Sequence, residues 1–249
     1  MTARLARIRR HPIKSLGGED LDRADLSSSR RLPGDREFAV LTESGERHAG
    51  DGQPDVWLPK SCFVRGAAAP ALQAIRGGWQ DGRIRLTHPD LPPLTFDPET
   101  EGAALTGWLR PLWPADQPAA TRLVRGAGIW TDDRAPYVSI LSLSSLAALE
   151  RELGRTLGIL RWRGNLWIDG WAPWAERELI GQVIRIGAVE LRVAQHIPRC
   201  SVPNADPDTG HDDVDMLAEL AARHGHTDFG IFAQVVTAGT IAIGERIAA

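Results

Sequence analysis

Residues 183–193 read VIRI-GA-VELRV, two alternating apolar runs joined by a pair of residues of which the first is glycine. That pattern is the signature of a tight antiparallel hairpin with one face buried, and it commits this part of the chain to a sheet. The second run continues as VAQHIPRCSVPNADPDTG over Val193–Gly210. The strand breaks at Pro198, presents Arg199 and Cys200, and enters a loop that Pro203, Pro207 and Gly210 keep irregular. A thiol delivered by a rigid strand beside a guanidinium suits a soft metal ligand or a nucleophile, because a neighbouring cation favours the thiolate. A lone cysteine is equally at home as a small buried hydrophobe, so the residues themselves leave both roles open.

The rest of the chain reads as many short strands with few helices. Leu5, Ile8 and Ile13 surround a first strand that stops at the HPIKS turn, His11–Ser15. Arg36–Leu41 is a second strand, and Glu43-Ser44-Gly45 supplies turn chemistry for a hairpin back to Arg47 and His48. Arg83–Thr87 alternates between Asp81-Gly82 and the proline-rich Leu91–Leu94, and a short helix is expected over Glu101–Arg110. The stretch 114–136, rich in Pro, Ala, Gly and Asp without a period, reads as a connector, which divides the chain into domains 1–115 and 116–249. Leu146, Leu149, Leu153 and Leu157 fall at helical spacing behind Ser142–Ser145, with Gly158 as the stop. Arg161–Asp169 reads as a strand with an embedded glycine, and a helix lies around Asp215–Arg223 with Leu217 and Leu220 on one face and Gly225 beyond it. The chain closes with FGIFAQVV, the turn Thr237-Ala238-Gly239, and TIAIGERI. The fold class expected is mainly β with peripheral helices (α+β), arranged as closed or nearly closed barrels.

Composition removes several classes. With 43% hydrophobic and 24% charged residues a real core is expected. No apolar run approaches the roughly 18 residues that span a bilayer, and the N-terminus lacks the apolar segment of a secretory signal, so a cytoplasmic location is expected with no membrane contact. A net charge of −3 gives no general affinity for nucleic acid. Two cysteines, Cys62 and Cys200, exclude a disulfide framework, an all-cysteine zinc site and a self-contained four-thiolate iron–sulfur cluster. No glycine-rich phosphate loop follows any strand.

Four features carry candidate chemistry. Cys200 with Arg199 is the first. Pro12-Ile13-Lys14-Ser15 is the second, a Lys ammonium beside a Ser hydroxyl on a turn, able to cradle an anion or simply to sit solvated; lysine occurs only here and at Lys60. The third is Gly34-Asp35-Arg36, an arginine at the mouth of a strand or paired to its neighbour. In the fourth, Arg161-Trp162-Arg163-Gly164-Asn165, Arg163 and Asn165 would share a strand face, able to clamp a phosphate or hydrogen-bond a heterocycle. His196, His211, His224 and His226 fall at no recognised metal-ligand spacing. Asp206 is a candidate for positioning substrate or a proton, and equally a turn-capping residue.

In order along the chain, HPIKSLGG, GDREFAVLTESGE, SILSLSSLAAL, RWRGN, IGAVELRVAQHIPRC with DPDTG, and FGIFAQVVTAGTIAIGE resemble the MOSC family (molybdenum cofactor sulfurase C-terminal domain) in its two-part form, an N-terminal β-barrel domain followed by a MOSC barrel. The amidoxime-reducing members and their bacterial relatives are the most similar class. The resemblance implies a molybdenum–pterin cofactor with Cys200 as protein ligand to the metal. It also implies Lys14, Ser15, Arg36, Arg163 and Arg199 around the pterin and its phosphate, joined here by Asn165. A soft thiolate suits molybdenum, and a phosphate wants Arg and Lys donors. Pro203-Asn204, Arg134-Ala135-Pro136 and Phe232 stand where reducing members carry a Thr pair, an Asp-Thr-Ser-like stretch and an aromatic hydroxyl.

The implied activity is reduction of small N-hydroxylated compounds (amidoximes, hydroxylamines, N-hydroxylated bases) by oxygen-atom removal at molybdenum. Electrons would come from a separate ferredoxin-, flavin- or cytochrome b5-type protein. The alternative is a carrier that holds cofactor, or a persulfide on Cys200, without turnover. The chain shows no pyridoxal-phosphate desulfurase domain, so any persulfide would be made elsewhere.

Overall fold

The computed structural model describes residues 3–50, 52–54, 56–126 and 130–248. Strands β1 (Arg4–Arg10), β2 (Glu19–Leu21), β3 (Arg23–Leu26) and β4 (Phe38–Thr42) lead to helix α1 (Glu43–Ala49). Strands β5 (Arg76–Gln80), β6 (Arg83–His88) and β7 (Leu91–Phe96) form a meander before α2 (Gly102–Leu109). Next come β8 (Ala120–Arg125), β9 (Tyr137–Ser142), α3 (Leu143–Leu153), β10 (Leu166–Asp169), β11 (Val183–Ile186) and β12 (Val189–Pro198). Helix α4 (Met216–His224) and strands β13 (Asp228–Thr237), β14 (Gly239–Ala242) and β15 (Ile247–Ala248) complete the described chain.

The Val183–Val193 hairpin forms as expected: Ile186 faces Val189 across Gly187-Ala188, and β12 continues as the long strand that delivers Pro198. Its alternation is visible in the burial, with Ile184, Ile186, Val189, Leu191 and Val193 inside and Arg185 and Arg192 outside. These strands belong to an eight-stranded sheet of order β15-β11-β12-β13-β9-β10-β1-β2. Leu5, Ile8, Val138, Ile140, Leu166 and Ile168 add the other strands' inward residues to one core. Each such side chain contributes about 1.5–3 kcal/mol on burial. Among the described residues the sheet does not close into a barrel. Strand β1, one in from the β2 edge, meets the segment leading into β15 at the Arg4–Arg246 bridge, with the Leu5 amide donating to the Glu245 carbonyl (2.9 Å), the Gly244 amide to the Leu5 carbonyl (2.8 Å) and the Ile247 amide to the Ala3 carbonyl (2.9 Å).

A second core lies in the N-terminal half, where Phe38, Val40, Leu72, Ile84, Phe96 and Leu105 join the β4–β8 pair, the meander and α2. The proline-rich Leu91–Leu94 is part of β7, the edge strand of the meander, where Pro92 and Pro93 need not donate to a ladder.

Several expectations are corrected. Glu43-Ser44-Gly45 is no hairpin turn but the start of α1, whose first turn carries Glu43 and Glu46 and whose last carries Arg47 and His48, charges that suit the helix dipole. The stretch 114–136 is not an unstructured connector, since β8 lies inside it and pairs with β4; its residues 127–129 fall outside those described. Helix α3 starts on the Ser142 cap as expected but ends at Gly154 in the left-handed conformation, four residues before Gly158. Residues 160–162 form a 3-10 turn, Arg163 is left-handed (φ +50°), and the strand begins only at Leu166, so Arg163 and Asn165 share no strand face. The closing segments are not a hairpin, because β14 leaves β13 to pair with β3. Three strand pairings run across the 115/116 position: β1 with β10, β3 with β14, and β4 with β8.

Candidate functional site

The HPIKS turn is fixed by backbone before its side chains matter. The Lys14 amide donates to the Phe38 carbonyl at 2.8 Å, and the His11 carbonyl accepts from the Arg36 amide at 2.5 Å. Ser15 is left-handed (φ +66°), and Gly17 packs so closely that a Cβ would stand 2.4 Å from the Gly77 carbonyl oxygen. The turn therefore carries Lys14 inward. Its ammonium is buried and donates to the Trp130 carbonyl (2.9 Å) and the Asp132 carboxylate (2.6 Å). Burial lowers its pKa from the ordinary lysine value, and Asp132 opposes the shift.

Arg163 grips the same turn from the other side, donating to the carbonyls of Gly17 (2.9 Å), Leu16 (3.3 Å) and Ile13 (3.4 Å). Arg36 donates to the Arg163 carbonyl at 2.9 Å and pairs with the buried carboxylate of Asp35. Arg199 donates to the carbonyls of Trp162 (3.1 Å) and Phe229 (2.9 Å) and lies over the Trp162 ring. Carbonyls fix a guanidinium in place without cancelling its charge. Burial pulls the pKa of Arg163 down to about 9, with Arg36 adding repulsion, and that of Arg199 to about 9, where Cys200 opposes the fall. His11 beneath them is held neutral, its pKa driven well below the usual value by burial and then by Arg163 and Arg36.

Lys14, Arg36, Arg163 and Arg199 face one cleft of about 450 Å³, which also contains Ser15, Asn165 and the half-buried Cys200. Among the described residues its walls carry six cations (Lys14, Arg31, Arg36, Lys60, Arg163, Arg199) against three carboxylates (Asp35, Asp132, Asp133). The cleft is thus positive in a chain whose net charge is −3, as a polyanion site requires. No group of three or more His, Cys, Asp or Glu side chains among the described residues is placed to hold a metal. A metal bound at Cys200 would take that one thiolate and need its remaining ligands from a cofactor.

Two predicted residues play other parts. Asn165 lies in the cleft wall, yet its amide is engaged by the frame, accepting from the Ser139 hydroxyl (2.8 Å) and donating to the Arg9 carbonyl (3.2 Å). Asp206 does not line the cleft. Its carboxylate accepts from the Asp208 amide (2.6 Å) and its backbone closes the 206–211 turn, as a turn-capping residue does. Sequence reasoning missed Arg31, whose guanidinium pairs with Thr131 and donates to the Asp133 carbonyl at 2.7 Å, and whose pKa burial lowers to about 10. It also missed Lys60 and Tyr137, which stacks on Phe232 with ring centroids 5.5 Å apart. The rarity of lysine was the signal for Lys60, and Tyr137 is the sole tyrosine of the chain.

The chain is mainly β and sets one half-buried thiol in a cationic cleft. The MOSC N-terminal beta barrel domain matches residues 2–119 and the MOSC domain residues 130–248, and the chain belongs to the MOSC family. MOSC domains are associated with binding of the molybdenum cofactor. The YUAD protein from Bacillus subtilis shares the fold at 15% identity, with a TM-score of 0.50 over 99% of this chain and 94% of that one. YiiM from Geobacillus stearothermophilus aligns at 17% identity over 45% of this chain and 52% of its own, with a TM-score of 0.36. YiiM from Escherichia coli aligns at 17% identity over 45% of this chain and 54% of its own, with a TM-score of 0.34. Comparison with curated proteins returned no match. No helix among the described residues is long and apolar enough to cross a membrane.

Proposed function

We propose that the protein is a molybdenum-cofactor-dependent oxidoreductase that reduces small N-hydroxylated compounds with electrons from a separate redox protein. The observation that carries this reading is the half-buried thiol of Cys200 in a cleft where cations outnumber carboxylates two to one. The donor set fits the group: a soft thiolate for the metal, and Lys14, Arg36, Arg163 and Arg199 for a phosphate. When bound, the molybdenum–pterin group supplies a two-electron couple able to remove oxygen from nitrogen.

The chain's own residues bind and orient. Arg163 and Arg199, pinned by carbonyls and carrying no carboxylate partner among the described residues, keep a fixed positive field. A phosphate entering that field relieves the repulsion that Arg36 imposes on both neighbours. Arg199 sits beside Cys200 and sets a fixed cation next to the sulfur. Tyr137 and Phe232 wall the cleft with a stacked aromatic surface against which a small planar substrate can lie.

The test is metal analysis of native protein beside Cys200→Ala, followed by turnover of benzamidoxime with an artificial electron donor. Wild-type protein should carry molybdenum and turn over, and the variant should lose most of its molybdenum while staying folded. An added sulfur on Cys200 by intact mass, without turnover, would instead identify a carrier. Wild-type protein free of molybdenum from a cofactor-replete host would end the reading.

A further inference from the structure

The loop that carries Cys200 is held from the N-terminal half of the molecule. Gln73, 4% exposed on the 3-10 turn Pro70–Ala74, donates through its amide nitrogen to the Val202 carbonyl (3.2 Å) and to the Arg161 carbonyl (3.2 Å). Three residues on, Arg76 ties to the Gln73 carbonyl at 2.9 Å and captures the DPDTG turn, donating to the Pro207 carbonyl and to the Asp208 carboxylate at 2.9 Å. Between these two bonds Gly210 packs against the same element, where a Cβ would stand 2.8 Å from the Ala71 Cα. The 3-10 turn is itself anchored, since the buried His88 ring reaches the Ala71 carbonyl at 3.2 Å.

We infer that Gln73 and Arg76 are positioning residues: they seat the 202–210 loop, and with it the Cys200 thiol, in register with the cations of the N-terminal turn. The inference rests on the reading of Cys200 as the ligand-bearing residue. Neither side chain hydrogen-bonds the sulfur, and each acts through the backbone of the loop. The ion pair to Asp208 is secondary, because that carboxylate is almost fully exposed and such pairs are weak. The bonds to loop carbonyls do the holding, one of them from a charged donor. Asp206, which caps this turn, thereby shapes the handle that Arg76 grasps.

The test uses metal-free full-length protein and needs no turnover. Alkylation by iodoacetamide is followed at Cys200 and at Cys62, which is 2% exposed and reports global opening. Amide exchange is followed over 202–210. Arg76→Ala should speed both Cys200 alkylation and loop exchange roughly tenfold, the factor for one lost charge-assisted hydrogen bond. Cys62 should be unchanged, Arg76→Lys should restore part of the protection, and Asp208→Ala should stay within about twofold of wild type. Should Arg76→Ala fail to fold, Gln73→Ala carries the same expectation through the Val202 carbonyl. Loop exchange and Cys200 alkylation unchanged in a folded Arg76→Ala or Gln73→Ala variant would overturn the inference. Absence of molybdenum from wild-type protein would instead overturn the reading of the site while leaving this measurement intact.

Discussion

Arg161 is the most buried cation of the Cys200 region, 1% exposed, and Asp213 is its carboxylate partner at 2.8 Å. Replacing Asp213 with Ala strands that charge. Breaking one side of a buried pair costs about 3–5 kcal/mol because the remaining ion is uncompensated. Arg161 keeps three acceptors, the carbonyls of Pro203 (3.0 Å), Asn204 (3.2 Å) and Leu157 (3.5 Å), which puts the expected loss near the lower end, about 3 kcal/mol. The second partner, Arg155, is partly exposed and adds at most about 1 kcal/mol. For a chain of this size about 3 kcal/mol corresponds to a fall in Tm of roughly 6–12 °C. Urea unfolding followed by tryptophan fluorescence reads the loss directly. Arg161→Met in the same background supplies the control: the double variant should cost at least about 1.5 kcal/mol less than the sum of the singles, since the stranded charge is gone. A cost below about 1 kcal/mol for Asp213→Ala, or additivity within about 0.5 kcal/mol, would refute the account of Arg161 as a buried ion held by one carboxylate.

Further expectations follow from the same contacts. His11 stays neutral in the fold, while the unfolded chain takes up a proton below about pH 6.5. The unfolded state therefore binds more protons in the window between that value and the depressed folded pKa. His11 should lower stability on acidification by up to about 1.4 kcal/mol per pH unit, a slope that urea titrations of wild type and His11→Asn would compare. Glu176, buried and raised in pKa, opposes this trend above about pH 4.5, so Glu176→Gln should steepen the loss of stability on acidification. Gly45 lies inside α1, where alanine would ordinarily help by about 1 kcal/mol. Its Cβ would stand 2.3 Å from the Cys62 carbonyl oxygen, so Gly45→Ala should destabilise by about 1–3 kcal/mol, and a raised Tm would contradict the packing.

What the sequence made legible was local. The 183–193 hairpin, the Ser142 cap and the Asp215–Gly225 limits of α4 each rest on residues within a few positions of one another. The HPIKS turn and Cys200 were identifiable as points of interest because lysine and cysteine are rare here. Arg31 was not, since one arginine among many carries no signal until residues 131–133, a hundred positions away, fold against it. Thr237-Ala238-Gly239 has the chemistry of a hairpin turn, yet burial of Ile241 beside Ala24 and Leu26 outweighs local pairing and sends β14 to β3. Arg163 and Asn165 alternate in sequence like strand neighbours, but the left-handed Arg163 rotates its side chain toward the Ile13–Gly17 turn. Tertiary partners override spacing in each of these cases.

The pairing of β1 with β10 has a consequence for how the molecule is made. Strand β1 has one ladder partner close by in sequence, β2 at residues 19–21, but its other partner, β10, leaves the ribosome only with residues 166–169, and Ile247 later still. Until then an apolar ribbon bearing Leu5 and Ile8 stays uncovered while the meander of residues 76–96 is free to form beside it. The eight-stranded sheet is thus completed by neither half alone, since it waits for strands far apart in sequence to meet.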